Sequence, residues 1–334
     1  MSMELDRYPL VSVGVPVFNG AAGLAACLDA LLRQDYPNLE IVISDNGSTD
    51  DTPVIAQRYQ QLDARVTYSR SEENRGAHWN FNRVFELSSG KYFLWAADDD
   101  TREPSFVSAC VARLEQEPDS VLCQAGTATI LEGRTETLCL TTLATFDHAR
   151  EMVGRYRETL EHFPATAIYG MYRASAMRGT LLFQRALASE IAFIQELAIL
   201  GHFVQVPQTL FHYRASELWN TIDQDANVVL GADRKPWWYQ PFIVLFLMHC
   251  KGIRRASIPA TRKVRLFGVL ARYEARQIMH KVVLKLAGAL CPDRWKPALG
   301  QMMHSRWLHN PNVTVVRRDL YFERVCKPEL GWWR

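Results

Sequence analysis

The chain lacks the marks of several common protein classes. Its seven cysteines (Cys27, Cys110, Cys123, Cys139, Cys250, Cys291 and Cys326) lie far apart and are odd in number. None forms a C-x-x-C pair, so neither a disulfide framework nor a zinc site is implied, and buried free thiols are expected. The nine histidines contain no H-E-x-x-H pair, which disfavours a zinc hydrolase. The opening MSMELDRYPL has no apolar run, so no secretory signal is expected. Pro241 to Cys250, the longest apolar stretch near the C-terminus, is about half the ~20 residues of a spanning helix. No segment is therefore expected to cross a bilayer. Repeats and low-complexity tracts are absent too. With 48% hydrophobic and 22% charged residues, the chain is too apolar to stay disordered. Its 334 residues can bury a sizeable core, in one large domain or two smaller ones.

The formal net charge of +2 conceals an asymmetry. Residues 251–334 hold 18 Lys and Arg against 5 Asp and Glu, a net of +13, and the rest of the chain carries −11. Six of the nine tryptophans, from Trp237-Trp238 to Trp332-Trp333, also lie beyond residue 236. An acidic body with a basic, Trp-rich tail has a polyanionic surface as its natural partner.

The first 130 residues alternate between two patterns. β-rich runs at Leu10–Val17, Leu39–Ser44, Val66–Ser69, Tyr92–Trp95 and Val121–Ile130 are separated by helical stretches at Ala21–Arg33, Pro53–Gln61, Ala77–Leu87 and Pro104–Gln116. That spacing suits βαβ units, and unbroken runs such as VSVGVPV and EIVIS suit parallel strands covered on both faces. Right-handed crossovers then bring the C-terminal ends of the strands to one edge, where ligands bind in open α/β sheets. Beyond Leu131 the expectation is strand or loop over Thr135–Thr145 and a helix over Phe146–His162. IYGMYR follows at 168–173, then a helix near Ser189–Leu200 and two short strands, FVQV and TLFHYR. Ala215–Asp233 reads as a polar connection, and the chain beyond it is helical and basic to about Ala289.

Three acidic or polar clusters directly follow predicted strands: Pro16-Val17-Phe18-Asn19, then Ser44 to Asp51 (SDNGSTDD), then Asp98-Asp99-Asp100. On an extended chain Asp98 and Asp100, at i and i+2, point to one side. Two carboxylates so placed suit a hard divalent cation that takes substrate phosphate oxygens as further ligands. Helix capping ahead of Glu103-Pro104, with the proline at the first helical position, is the structural alternative. Asp45 can accept the imide N–H of a uracil or thymine, or simply form a turn. Thr52-Pro53 reads as the N-cap and first residue of the next helix. In Asn74-Arg75-Gly76 the glycine permits a tight turn and Arg75 could reach a diphosphate.

The ordered series PVFN, SDNGSTD, NRG with Asn80 and Asn82, then DDD resembles the family-2 inverting glycosyltransferases of the GT-A fold, over about 90 residues and more loosely to about Arg214. The resemblance implies an α/β fold with a Rossmann-like, mostly parallel sheet flanked by helices. It implies that Pro16, Val17, Phe18, Asn19 and Asp45 hold the nucleoside. Asn74, Arg75, Asn80, Asp98 and Asp99 would contact the donor, and Asp98 and Asp100 would hold Mg²⁺ or Mn²⁺ on its diphosphate. An inverting transfer also needs a carboxylate base opposite the leaving diphosphate. Glu190 and Glu196 are the candidates, and Glu190, in a Ser-Glu pair where the family commonly has Glu-Asp, is preferred. First-turn helix stabilisation is the alternative for Glu190. Tyr172-Arg173 and His212-Tyr213-Arg214 could lie near donor or acceptor; for the arginines surface ion pairing, and for His212 an ordinary hydrogen bond rather than a metal ligand, are the alternatives.

In the tail, a helix over Ala260–Leu290 puts Arg265, Arg272 and Arg276 on one face and Leu266, Leu270 and Tyr273 beside it. Such stripes fit an interfacial helix on anionic lipid; a packing helix with a solvated charged face is the alternative. The resulting expectation is a catalytic, nucleotide-sugar-binding domain over 1–230 and a helical, basic C-terminal region over 231–334. The donor expected is a UDP-sugar and the acceptor a glycan or lipid-linked precursor. The chain would be cytoplasmic and peripheral on the inner face of a membrane, without a nucleic-acid partner, and self-association is left open. Two rivals are an NDP-sugar nucleotidyltransferase, which would want a glycine-rich loop where PVFNGAAG offers only Gly20 and Gly23, and an inactive nucleotide-binding module.

Overall fold

The seven residues Val11–Val17 form strand β1 and are all buried, as are six of the seven in β2 (Leu39–Asp45). Both faces of these strands are covered, which is why they read as apolar runs rather than alternations. In the computed structural model, which describes residues 7–131, 135–143, 146, 149, 151–162, 164–215, 241–290 and 313–315, β3 (Val66–Arg70) and β4 (Tyr92–Trp95) complete a parallel set in the order β4-β1-β2-β3. Helices α1 (Leu24–Leu32), α2 (Thr52–Leu62) and α3 (Ala77–Glu86) make the crossovers, and α4 (Phe106–Gln116) follows β4. Register pairs Val17 with Asp45 and Gly14 with Trp95, so the loops after β1, β2 and β4 leave from one edge.

The second half of the sheet is mixed. After β5 (Thr101–Arg102) come β6 (Ser120–Leu131), β7 (Thr137–Thr141), β8 (Met171–Arg173) and β9 (His202–Ala215). β8 runs antiparallel between β4 and β6, and β9 runs parallel to β6. The two short strands expected at FVQV and TLFHYR are one: the ladder jumps from Ala125–Val206 to Gly126–Thr209 and resumes. Pro207, which has no N–H to give, and Gln208 are exposed at the bulge. A side chain on Gly126 would press on the Gln208 carbonyl. The helix expected from Phe146 begins later, as α5 (Met152–His162), and α6 (Ala174–Arg178) precedes α7, whose bounds Ser189–Leu200 are those expected. Cys27, Cys110, Cys123, Cys139 and Cys250 are free thiols, the first four buried.

Helices α8 (Pro241–Arg255) and α9 (Ala260–Leu290) follow, and a three-residue strand, β10 (Val313–Val315), pairs with β7. The apolar stripe of α9 does not face outward. Leu266 and Leu270 are wholly buried and pack with Val153, Tyr156 and Leu160 of α5, Ile199 of α7 and Ile253 of α8. The stripe is therefore core, as in the packing-helix alternative, while Arg265 and Arg276 reach Glu151 and Glu161 at 3.9 and 3.0 Å. Leu270→Ala should lower stability by about 2–5 kcal/mol in chemical denaturation without any membrane present; an unchanged midpoint would restore the lipid-facing assignment. The connection after Ala215, Trp237-Trp238, Trp332-Trp333, Cys291 and Cys326 lie outside the described residues. Among those described, no helix is long and apolar enough to cross a membrane.

Candidate functional site

The loops after β1 and β2 are stitched together by short polar contacts. Asn19 takes a positive φ of 53°, which asparagine tolerates better than most residues. Its N–H donates to Ser48 Oγ at 2.9 Å and its Oδ1 accepts from Thr49 N at 2.9 Å. The next two amides, Gly20 and Ala21, donate to Thr52 Oγ1 (2.9 Å) and Asp50 Oδ2 (3.0 Å). Thr52 is thus not the cap expected: it begins α2, Asp51 flanks it, and its hydroxyl serves the neighbouring loop.

Asp45 is wholly buried. Its Oδ1 accepts from Ser48 N and its Oδ2 from the Tyr68 hydroxyl, both at 2.8 Å, with Arg70 Nε 3.4 Å away. Burial and this carboxylate push the Tyr68 hydroxyl well above its usual pKa. Asn46 links the third loop, donating to Asn74 Oδ1 (2.8 Å) and accepting from Arg75 N (2.9 Å). Asn80, buried in α3, donates to the carbonyls of Val17 (3.2 Å) and Ser44 (2.9 Å) and so ties the ends of β1 and β2. That bracing role was not legible in the sequence. Phe18 is 45% exposed, and the exposed Arg75 lays its guanidinium 4.3 Å from the centre of the Trp79 ring.

The acidic triplet is not extended. Asp100 N approaches Ala97 O at 3.4 Å, so Asp98 and Asp99 occupy a turn and the expected i, i+2 geometry does not apply. The strand's last link to β1 is Ala96 N to Gly14 O, after which the chain must reverse into β5, which pairs with β9. Two glycines make room for the turn: a Cβ on Gly20 would collide with Asp98 Oδ2, and one on Gly23 with the Asp98 carbonyl. Asp100 is 1% exposed; its Oδ1 accepts from Arg214 N at 2.8 Å, and its Oδ2 has no partner among the described residues. Burial, aided by the Asp99 carboxylate, pushes the Asp98 pKa up to about 6. Burial pushes Asp100 up to about 7, against the opposing pull of the Arg214 amide and the Arg102 charge.

Arg102, absent from the sequence-derived candidates, is buried beside this turn. It donates to Trp95 O at 2.7 Å, with its guanidinium 5.2 and 4.5 Å from the Phe106 and Phe211 ring centres. The only sequence signal was one basic residue two positions after three aspartates. His212 bonds Glu103 Oε1 at 2.8 Å, the ordinary role. Arg173 is neither near the acidic turn nor in a surface ion pair; it donates to the Ser120 and Leu114 carbonyls and the Tyr92 hydroxyl, where β4 begins.

A buried acceptor without a partner and two carboxyls held near their protonated range fit a hard divalent cation. Such a cation takes one or two carboxylates and completes its shell with water and phosphate oxygens. Among the described residues no group of three or more His, Cys, Asp or Glu is placed to hold a metal ion by itself, so the protein's share would be these two aspartates. Gly20→Ala should lower stability, because the added methyl would press on the buried Val17 side chain as well as on the Asp98 carboxylate, and it should weaken Mn²⁺ binding in titration calorimetry. Unaltered Mn²⁺ affinity would show that Asp98 is not a ligand.

The two glutamate candidates separate in space. The first turn of α7 touches α3: Ser189 Oγ lies 3.2 Å from His78 Nδ1, which in turn bonds Gln184 O at 2.6 Å. Glu190 is half-buried in that turn, on the α3 side of the molecule. Glu196 is 9% exposed, accepts from Leu181 N at 3.1 Å and packs against Gly252 of α8. Burial pushes its pKa up to about 7, with the Leu181 amide opposing.

Residues 12–178 match the model of a family described as glycosyl transferase family 2. Among curated proteins, chondroitin synthase of Escherichia coli is 36% identical over 110 residues, 33% of this chain and 16% of that one. The GalNAc(5)-diNAcBac-PP-undecaprenol beta-1,3-glucosyltransferase of Campylobacter jejuni is 34% identical over 93 residues, 28% of this chain and 30% of that one. The aligned part therefore spans less than two thirds of either relative. In fold, the chain is similar to S. aureus TarS 1-349 in complex with UDP, with a TM-score of 0.60 at 17% identity over 87% of this chain and 78% of that one. It is also similar to the mannosyltransferase PcManGT of Pyrobaculum calidifontis in complex with GDP-Man and Mn2+, with a TM-score of 0.51 at 18% identity over 91% and 82%.

Proposed function

The chain belongs to glycosyl transferase family 2, and from that premise we propose that it transfers a sugar, with inversion, from a nucleotide-diphosphate donor to a hydroxyl acceptor. The observation that carries this reading is the convergence of the loops after β1, β2 and β4 on the Asp98 turn, with Gly20 and Gly23 making room for it. The loop of Phe18, Asn19 and Asp45 would receive the nucleoside, and a UDP-sugar is the donor proposed. Asn74, Arg75 and Asn80 line or brace the neighbouring wall. Asp98 and Asp100 would hold Mg²⁺ or Mn²⁺. When bound, such a cation supplies charge stabilisation of the departing diphosphate. Asp99, on the same turn, would face the donor. Glu190 takes the proton of the attacking hydroxyl as the oxygen displaces the nucleoside diphosphate from the opposite face of the anomeric carbon.

A lipid-linked or polysaccharide precursor is the acceptor proposed, in keeping with what the two relatives' names say of them. Residues 1–230 form the catalytic unit in this reading, and the basic region 231–334 lies on the inner face of a membrane. A nucleotidyltransferase is disfavoured because Gly20 and Gly23 accommodate Asp98 rather than forming a phosphate loop. Thermal shift against a panel of nucleotide-sugars, with and without Mn²⁺, tests the reading: one UDP-sugar should raise the melting temperature in the presence of the metal. If no nucleotide-sugar does so, the donor assignment fails.

A further inference from the structure

We infer that the groove between α5 and α9 is a seat for the phosphate headgroup of an anionic phospholipid, an inference that rests on the membrane apposition proposed above and assigns its contact point. The groove encloses about 120 Å³ and is lined by Arg157, Glu161, Val269, Arg272, Tyr273 and Arg276. Three guanidiniums face one carboxylate, and that carboxylate is engaged by Arg276 at 3.0 Å. Arg157 and Arg272 are exposed and have no acidic partner among the described residues. Guanidiniums left unpaired around a pocket of this size suit a phosphate oxyanion, which each can bind in a forked geometry.

The surroundings point to a bilayer as the source of that phosphate. Over 241–290, α8 and α9 carry ten Lys and Arg against Glu274 alone, so the field around the groove is strongly positive. Met279 follows Arg272 by seven residues and Arg276 by three, which places it on the same helix face. Met279 is 63% exposed, and its neighbours Ile278 and Val282 are exposed as well. Cations at headgroup level with aliphatic side chains beside them are the two halves of an interfacial contact. This set differs from the sequence-derived one: Arg157 of α5 joins it, Arg265 turns toward Glu151, and Leu266 and Leu270 are core. Tyr273 is half-buried against Arg276, 5.8 Å from the guanidinium, so the groove offers no free aromatic platform of the kind single-stranded RNA uses.

Flotation of the full chain with vesicles tests the seat. The chain should float with phosphatidylglycerol–phosphatidylcholine vesicles, float far less with phosphatidylcholine alone, and be released by high salt. The pair Arg157→Glu and Arg272→Glu should reduce partition on the order of tenfold or more. The pair Arg254→Glu and Arg262→Glu, the same charge change outside the groove, should reduce it much less. Met279→Asp should weaken partition with an unchanged melting temperature, which covers the case in which the arginine pair disturbs folding. Equal loss from both arginine pairs would overturn the seat while leaving membrane apposition standing. Failure of the unaltered chain to float with either vesicle would sink both. Binding of single-stranded RNA that disappears in the Arg157→Glu, Arg272→Glu variant would overturn the choice of a lipid.

Discussion

Changing Asp98 and Asp100 together to asparagine should abolish metal-dependent donor binding and turnover while raising the melting temperature at neutral pH. The first half follows from removing both carboxylates of the acidic turn. The second follows from their protonation. Both groups have folded pKa values, about 6 and about 7, above the ordinary carboxylate range. Between roughly pH 4 and 7 the folded chain therefore binds more protons than the unfolded one, and stability falls as pH rises through that window. Above it both are ionised and the full cost is present, on the order of a few kcal/mol. The upward shift of Asp100 persists despite its attraction to buried Arg102, so neutralising the residue still relieves the fold. The amide oxygen introduced by Asp100→Asn can still accept from the Arg214 N–H that Asp100 now engages. A melting-temperature profile should therefore be flatter with pH in the variant than in the parent between pH 4 and 7. Because a cation competes with those same protons, Mn²⁺ affinity of the parent should climb between pH 6 and 7. Retained turnover in the double variant, or undiminished turnover in EDTA, would refute the metal assignment.

For Glu190→Gln the expected result is a fall in kcat on the order of 10² or more with donor affinity nearly unchanged, the pattern of a lost general base. Glu196→Gln should behave differently. A glutamine there can still accept from Leu181 N, and it removes a carboxylate whose folded pKa, about 7, lies above its unfolded value. The same linkage makes ionised Glu196 costly above pH 7, so this variant should melt higher there and lose little activity. Full activity in Glu190→Gln with a dead Glu196→Gln would reverse the roles.

Much of the site was legible because its parts are local. The apolar runs of β1, β2 and β4 and the polar clusters after them announce parallel strands whose loops meet, since backbone pairing and crossover handedness leave few other arrangements. In the same way the bounds of α7 at Ser189 and Leu200 can be read directly, between a helix-opening serine and a glycine. Glu190 could be singled out from that helix, but not separated from Glu196.

The α/β class, the loops that converge and the carboxylates that enter them can all be read from the chain's order of residues, because each depends on residues within one βα unit. The tertiary structure alone decided the rest. The triplet at Asp98 turns instead of extending because β5 must reach β9, more than 100 residues later in the chain. Arg102 lies buried under Asp100 because Phe211 and Tyr169, from that same distant half, close over it. Thr52 serves Gly20 rather than its own helix because β1 and β2 end side by side. Leu266 and Leu270 read as a lipid-facing stripe until α5 and α8 are seen packed against them. An amphipathic helix declares that it has an apolar face, but what covers that face depends on contacts between segments far apart in sequence, to which helical periodicity is blind.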